Sequence, residues 1–321
     1  MDKSNKNSPL VAIHCFVYNH EPYLRDCFNG FVMQQTNFPF VAVVHDDAST
    51  DNSTAIIREY TTKYPHIFKP IYEDSNLYSQ GGFDTVNQVM NKAIDRYGAK
   101  YIALCEGDDY WTDPYKLQKQ VDELEKHANY TMCYTDYSTV DHFNNPIEWM
   151  NRETNVARSK TGDIFAELLK GNYVQTCTML YRSEVCKDAD FLARLDYEYA
   201  LQNAISGDCV FINYVTANYR LQPDSAIHTL NNRLQNITID IWQRYVIKYI
   251  NQKHYQRRLF EHIHIMSIVS ARMISMARST NTTDRDVVDM LLKTNPILYI
   301  YMPLGFIIRV YNVFRKQFTK K

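Results

Sequence analysis

Along the first third of the chain, apolar residues come in short runs of two kinds. Leu10 to Val17 (LVAIHCFV) is almost unbroken and rich in β-branched residues, which predicts a buried strand. From Glu21 to Gln34 the spacing changes. Tyr23, Leu24, Cys27, Phe28, Phe31 and Val32 recur at three and four residues, the period of a helix face. Phe40 to Val44 is a second strand, ending in His45-Asp46-Asp47-Ala48-Ser49-Thr50-Asp51. Ser49 or Thr50 then caps a helix running through Lys63. Ile67 to Tyr72 predicts a third strand, Gly81-Gly82 a loop, and Thr85 to Tyr97 a helix. Tyr101 to Cys105 is a fourth strand, closed by Glu106-Gly107-Asp108-Asp109. Strands alternating with helices predict an α/β fold with a mostly parallel sheet. Ligands of such sheets bind at the carboxyl ends of the strands. Both acidic clusters fall at those ends.

The pattern then becomes mixed, up to about Gln222. Lys116 to Lys126 is amphipathic and opens with Asp113-Pro114, a good cap and first-turn pair. Met132 to Tyr137 and Thr176 to Tyr181 predict strands, and Ile164 to Leu169 a short helix. Ser206-Gly207-Asp208-Cys209-Val210-Phe211 is expected to open another helix with an acid at its start. Beyond Leu230 the pattern is helical, and no repeat of fixed period is visible. The expected division is one domain over 1–229, in two halves at 8–112 and 113–229. A helical extension over 230–321 follows.

Charge sharpens this division. The net charge is -1, which argues against a nucleic-acid binder. Residues 230–321 nevertheless hold fifteen Lys and Arg against five Asp and Glu, so an acidic front precedes a basic tail. The 321 residues are 45% hydrophobic, enough for a large core and against disorder. Seven cysteines without a Cys-x-x-Cys pair suggest reduced thiols in a cytoplasmic compartment. The first residues, MDKSNKNSPL, lack the apolar stretch of a signal peptide, and no clean apolar run reaches 18 residues.

Glu106, Asp108 and Asp109 lie within four positions. Crowded carboxylates raise one another's pKa unless a cation sits between them. Hard oxygen ligands of this kind suit Mg²⁺ or Mn²⁺ shared with a diphosphate. The alternative is a solvated turn capping the next helix. Trp111 either walls a sugar pocket or packs as a core aromatic. Asp46 and Asp47 can accept hydrogen bonds from a ribose or a uracil imide, or they can cap the following helix. The chain has neither a phosphate-cradling Gly-x-x-x-x-Gly-Lys-Ser/Thr loop nor a Gly-x-Ser-x-Gly elbow.

The segments PLVAIHCFVYNHEPYLRDCF, VVHDDASTDNS and YIALCEGDDYWTDPYKLQKQ together resemble the family 2 glycosyltransferases of GT-A fold. EGDDYW is similar to a subgroup found in bacterial polysaccharide biosynthesis. Two later segments, around Asp208 and from Tyr219 to His228, resemble the family's acceptor-side motif and its diphosphate-closing loop. Carried over by position, the resemblance implies that Tyr18 and Glu21 border the nucleobase, with backbone near Phe16 and Val17. It places Asp47 on the base, Asp46 near the ribose, and Asp108 on the ribose or a metal. Asp109 is the implied ligand of a divalent metal, Mn²⁺ or Mg²⁺. Asp208 is the implied general base, and Arg220 and His228 the implied diphosphate contacts. The closing loop lacks the Gln-x-x-Arg-Trp form of processive synthases, so a single transfer is expected rather than polymerisation.

The expected activity is a metal-dependent, inverting transfer of a hexose from a UDP-linked donor to a saccharide or lipid-linked acceptor. Two rivals stand beside it. A nucleotidyltransferase needs a Gly-rich basic loop near the N-terminus, and none is seen. A catalytically inactive scaffold of an assembly complex would lack metal-dependent nucleotide affinity. The tail segment Pro296 to Phe314 (PILYIYMPLGFIIRVYNVF) is apolar, broken by Pro303, Gly305 and Arg309, and followed by lysines. It reads either as a peripheral anchor on an anionic inner leaflet or as a surface that packs on the catalytic domain or a second copy.

Overall fold

The structure is a computed structural model that describes residues 8–148, 150–222, 231–251, 259–278, 282–295 and 298–306. The first strands fall where the apolar runs predict them: β1 (Val11–Val17), β2 (Phe40–Asp46), β3 (Phe68–Tyr72) and β4 (Tyr101–Leu104). Between them lie α1 (Leu24–Val32), α2 (Ser53–Lys63) and α3 (Leu77–Asp95). All three neighbouring pairs of these strands are parallel, with Val11 opposite both Phe40 and Tyr101. The short β5 (Tyr110–Trp111) and α4 (Lys116–Lys126) follow. Next come β6 (Tyr130–Asp141), α5 (Met150–Arg158), α6 (Phe165–Leu168), β7 (Leu180–Arg182), α7 (Ser183–Lys187), α8 (Asp196–Ser206) and β8 (Asp208–Leu221). The eight strands form one sheet in the order β3-β2-β1-β4-β7-β6-β8-β5.

The core lies where the α1 stripe meets one face of this sheet. Ile13, Cys15 and Val17 of β1 are buried with Phe28 and Phe31 of α1 and Phe68 of β3. The Phe28 ring stands 4.8 Å from Phe68 and 5.1 Å from Tyr60. Burying each such ring stabilises the fold by roughly 2–3 kcal/mol.

Four local expectations are corrected. The residue before α2 is Asn52, not Ser49 or Thr50, and its side chain makes no cap. An unexpected helical stretch from Leu77 precedes the helix expected from Thr85, and the two are separated by a non-helical break at Gly82, within the expected loop, whose φ of 71° suits a residue without Cβ. The strand expected over Thr176 to Tyr181 is a 3-10 turn at Thr176–Thr178 followed by β7. The residues expected to open a helix at Gly207 open β8 instead, paired in parallel with β6 from Tyr130↔Asp208 to Asp141↔Leu221. Val210, Ile212, Val215 and Thr216 favour that extended ladder.

The chain divides into two compact units, Met1–Ile164 with Tyr173–Ser225, and Phe165–Asn172 with Ala226–Lys321. The second is helical: α6, α9 (Asn231–Asn251), α10 (Leu259–Ala277), α11 (Thr282–Thr294) and the helical residues 298–306. Its centre is Trp242, fully buried, whose indole N–H donates to the Leu169 carbonyl at 3.1 Å. Arg272 covers the Trp242 ring at 4.9 Å and donates to the same carbonyl.

Candidate active site

The acidic turn after β4 is bound to the end of β1. Cys105 N donates to His14 O at 3.1 Å and Gly107 N to Phe16 O at 2.9 Å. A Cβ on Gly107 would stand 2.7 Å from the His20 ring nitrogen and 3.1 Å from Phe16 O, so only glycine lets the turn lie this close. Asp109 is buried, and its Oδ1 accepts from the Arg220 backbone N–H of β8 at 2.9 Å. Asp108 is half-buried, and its Oδ2 accepts from Gln222 Nε2 at 2.7 Å. Desolvation, and then the Asp108 charge, hold the Asp109 carboxyl well above the usual carboxylate range. Glu106 reaches solvent from the same turn. Its carboxyl is pushed up to about 8, first by desolvation at the crowded strand end and then by Asp108 and Asp196. Tyr219 of β8 is raised too, by burial first and then by Asp109, Asp108, Glu106 and Asp196.

Asp196 belongs to this group, and the sequence reading missed it. It is the first residue of α8, where a carboxylate meets the positive end of the helix dipole. Its Oδ2 accepts from the Thr176 hydroxyl at 3.2 Å. In the sequence that follows, the apolar residues Tyr197, Ala200, Leu201 and Ala204 recur at helical spacing, and in the structure every residue from Tyr197 to Ala204 is buried. Leu195-Asp196 ahead of that stripe was the available signal. Asp208, expected to start a helix here, instead begins β8 and accepts from Asn129 Nδ2 at 3.1 Å. A dozen residues of strand separate it from Arg220, roughly 40 Å of path at about 3.3 Å per residue. The structure does not bring Asp208 to the acidic turn.

Other expected residues also have structural occupations. Asp46 accepts from Ser49 N at 3.0 Å and from the Thr54 hydroxyl at 2.5 Å. Asp47 accepts from Leu77 N at 2.6 Å and Tyr78 N at 3.0 Å, which caps α3. Both carboxylates are buried, and neither caps the following helix α2 as expected, Asp47 capping α3 instead; a nucleoside contact has only their remaining lone pairs. Val17 is buried, and its carbonyl accepts from Asp47 N at 3.0 Å. Half-buried Phe16 meets the rings of His14 and His45 edge-on. Glu21 is bound to Asn52 N and Nδ2. Tyr18 is exposed at the end of β1, free to present its ring to a flat ligand.

Two expectations are corrected outright. Trp111 walls no pocket. It is buried, its indole donates to Cys177 O at 2.9 Å, Phe31 meets its ring edge-on, and the Lys116 ammonium covers that ring at 4.5 Å. Arg220 is no open diphosphate contact. Its guanidinium is buried between the Tyr23 and Tyr110 rings and donates to Asp108 O, Asn144 Oδ1 and Asp26 Oδ2. Arg220 thus ties β8 to the acidic turn. His228 lies outside the described residues.

Among the described residues, no group of three or more His, Cys, Asp and Glu side chains is arranged to hold an ion by itself. The donor set nevertheless suits a divalent cation that brings further oxygens with it. Desolvation and the Asp108 charge disfavour the ionised carboxylate of the buried Asp109, and a cation beside it offsets that. Mg²⁺ and related ions take one or two protein carboxylates and complete their shell with phosphate and water.

The described residues contain no helix long and apolar enough to cross a membrane. All seven cysteines are buried and free.

A family model described as glycosyl transferase family 2 matches residues 13–189. An uncharacterised protein of Mycobacterium tuberculosis is 33% identical over 229 residues, covering 68% of this chain and 61% of that protein. The chain thus matches about three-fifths of the length of that relative. A putative teichuronic acid biosynthesis glycosyltransferase of Bacillus subtilis, TuaG, is 26% identical over 44% of this chain and 51% of its own length. Among solved structures, residues 1–349 of S. aureus TarS superpose with a TM-score of 0.59 at 14% identity, covering 96% of this chain and 91% of that one. TarS has also been solved with UDP-GlcNAc. A mannosyltransferase of Pyrobaculum calidifontis, solved with GDP-Man and Mn²⁺, superposes with a TM-score of 0.51 at 14% identity, covering 95% of this chain and 88% of that one. The fold is therefore the GT-A arrangement.

Proposed function

The chain belongs to glycosyl transferase family 2, and from that premise we propose that it transfers a hexose from a nucleoside-diphosphate sugar to a saccharide or lipid-linked saccharide of a bacterial surface polysaccharide. The donor is UDP-linked and the anomeric centre is inverted. The observation that carries this reading is the crowding of Glu106, Asp108 and Asp109 at the end of β4, with Asp196 in their electrostatic range. The ligands of TarS and of the mannosyltransferase support a nucleotide-sugar donor, and TuaG supports a polysaccharide acceptor.

Asp109, with Asp108 beside it, would hold Mn²⁺ or Mg²⁺. The bound ion supplies charge neutralisation on the leaving diphosphate. Asp196 replaces Asp208 as the base. It takes the acceptor hydroxyl proton while the new C–O bond forms and the bond to the diphosphate breaks. Tyr18 stacks on the nucleobase, with Asp46 and Asp47 behind it and Glu21 fixing the loop. Arg220 positions Asp108 and Asp109 instead of touching phosphate. The lipid-linked acceptor puts the enzyme at the inner face of the cell membrane, reached through the apolar tail.

Calorimetric titration with UDP, GDP, CDP and TDP, each with and without Mn²⁺, tests this. Binding of one diphosphate that requires the metal and disappears in Asp109→Ala is the expected result. Folded protein that binds none of them overturns the reading and favours an inactive scaffold.

A further inference from the structure

Four segments distant in sequence meet at the Arg220 guanidinium. Arg220 stands near the end of β8, and its Nε donates to the Asp108 backbone carbonyl at 2.8 Å. One terminal nitrogen donates to Asn144 Oδ1 at 2.7 Å and to the carbonyl of Asp141, the last residue of β6, at 3.3 Å. The other donates to Asp26 Oδ2 of α1 at 3.2 Å. Asn144 closes a ring, because its Nδ2 donates to the same Asp26 oxygen at 3.0 Å. Its backbone is left-handed, with φ of 69°, a conformation that asparagine tolerates.

Charge decides what this ring does. The Arg220 side chain is 1% exposed and that of Asp26 38%. A buried cation needs a counter-ion, and losing its partner leaves the charge uncompensated. Two acids lie close at hand, since Arg220 is hydrogen-bonded to the Asp108 carbonyl and, through its backbone N–H, to Asp109 Oδ1. Yet the guanidinium pairs with neither carboxylate. Among the described residues, the one carboxylate at ion-pair distance from it is Asp26. The Asp108 carboxylate accepts instead from Gln222, a neutral donor. Neither acid of the turn is therefore occupied by a cationic side chain.

We propose that Asp26 and Asn144 are positioning residues for the metal: Asp26 neutralises Arg220, Asn144 locks the pair, and together they keep the guanidinium from taking the place of a divalent cation at Asp108 and Asp109. The inference rests on the reading of the acidic turn as a metal and nucleotide site. It adds that the turn's affinity for a cation is set from α1 and from the residues that follow β6, neither of which supplies a ligand.

The test uses the full chain with Mn²⁺ and UDP as probes. Mn²⁺ uptake is followed by the paramagnetic resonance of the free ion, and folding by thermal unfolding. Asp26→Asn keeps the shape of the side chain and removes its charge. It is expected to weaken Mn²⁺ uptake about tenfold, the scale of one hydrogen bond to a charged group, and to regain full occupancy as Mn²⁺ is raised. Asp26→Glu supplies the counter-ion again and should restore most of the affinity. Asn144→Gly accepts the left-handed backbone and deletes the amide, and should weaken uptake less than Asp26→Asn does, because the ion pair survives. Glu59→Gln removes the same charge from the neighbouring pair with Arg25 without touching Arg220, and should leave Mn²⁺ uptake unchanged. In an Arg220→Gln background, Asp26→Asn should have no further effect, since Asp26 acts through the guanidinium. An Asp26→Asn variant that takes up Mn²⁺ as the wild type does, or that weakens uptake equally with and without Arg220, overturns the inference and leaves the ring a purely structural tie. Folded wild-type protein that takes up no Mn²⁺ with UDP overturns the functional reading itself, and this inference with it.

Discussion

At the residue scale, the acids of the site differ in what their burial costs. Asp109 is buried beside Asp108 with its carboxyl held well above the ordinary range. Asp109→Asn keeps an oxygen for the Arg220 N–H while removing that burden. We expect this variant to melt at or above the wild-type temperature without metal, yet to lose at least about 100-fold in turnover, the scale on which electrostatic contacts to a leaving group act. Calorimetric melting and a donor-turnover assay check the two halves separately. Glu106, raised to about 8, is largely protonated at neutral pH. A divalent cation binds the ionised forms, so metal binding should release protons at pH 7 and tighten as pH rises toward 8. Titrations in buffers of different ionisation enthalpy measure that release, and the absence of any dependence on buffer would refute it. His14 carries a separate pH signature. Burial lowers its pKa from 6.5 to about 4, so the folded protein keeps it neutral while the unfolded chain protonates it. The resulting stability is complete above pH 6.5 and falls by about 3 kcal/mol on approaching pH 4. His14→Gln should remove that part of the acid sensitivity in urea melts at pH 7 and pH 4.5. At this scale the sequence was legible in residue type but not in occupation. Asp46 and Asp47 were readable as acids at a strand end, yet capping and ligand binding use the same carboxylate at the same place. Trp111 was ambiguous for a similar reason, since its neighbours Phe31 and Cys177 come from segments far off in sequence.

At the element scale, the parallel half of the sheet was legible because a doubly buried strand is an apolar run, and β1, β2 and β4 are such runs. The second half was less so. β8 is half exposed and interrupted by polar residues, so its first five residues mimic a helix start after Gly207. β5 is two residues long and exists only through its pairing with Asn218 and Ala217. Under the proposed function Asp196 at the start of α8, and not Asp208 at the start of β8, is the base, and this gives a sharp comparison. Asp196→Asn should lower turnover by about 100-fold or more while nucleotide affinity changes little, because a base acts in the chemical step. Asp208→Asn should stay within about twofold of wild type, since its partner is Asn129 at the far end of the strand. Equal effects of the two substitutions would refute the assignment.

At the scale of the whole molecule, chemistry and charge are distributed unequally between the two units. The acidic turn and Asp196 lie in the first, whereas the basic excess lies in the second. The second unit also carries apolar side chains that its own core does not cover. In the helical residues 298–306, Tyr299 is 60% exposed, Ile300 71% and Phe306 50%. Gly305 meanwhile lies so close to α10 that a Cβ there would stand 2.5 Å from Ala271 N. A helix with aromatic and aliphatic groups facing water, followed in sequence by Arg309, Arg315, Lys316, Lys320 and Lys321, has the composition of an interfacial anchor. Each basic residue near an anionic surface contributes about 1 kcal/mol, an attraction that salt screens. The full chain is therefore expected to float with vesicles containing anionic lipid, to do so less with neutral ones, and to be released as salt is raised. Replacing Tyr299, Ile300 and Phe306 together by Ser should abolish flotation and leave the proposed metal-dependent nucleotide binding unchanged, because the acidic turn proposed to carry it belongs to the other unit. If the same variant instead dissociates a dimer seen by sedimentation, and wild-type protein ignores vesicles of either kind, the apolar face serves a second copy of the chain and the membrane assignment fails.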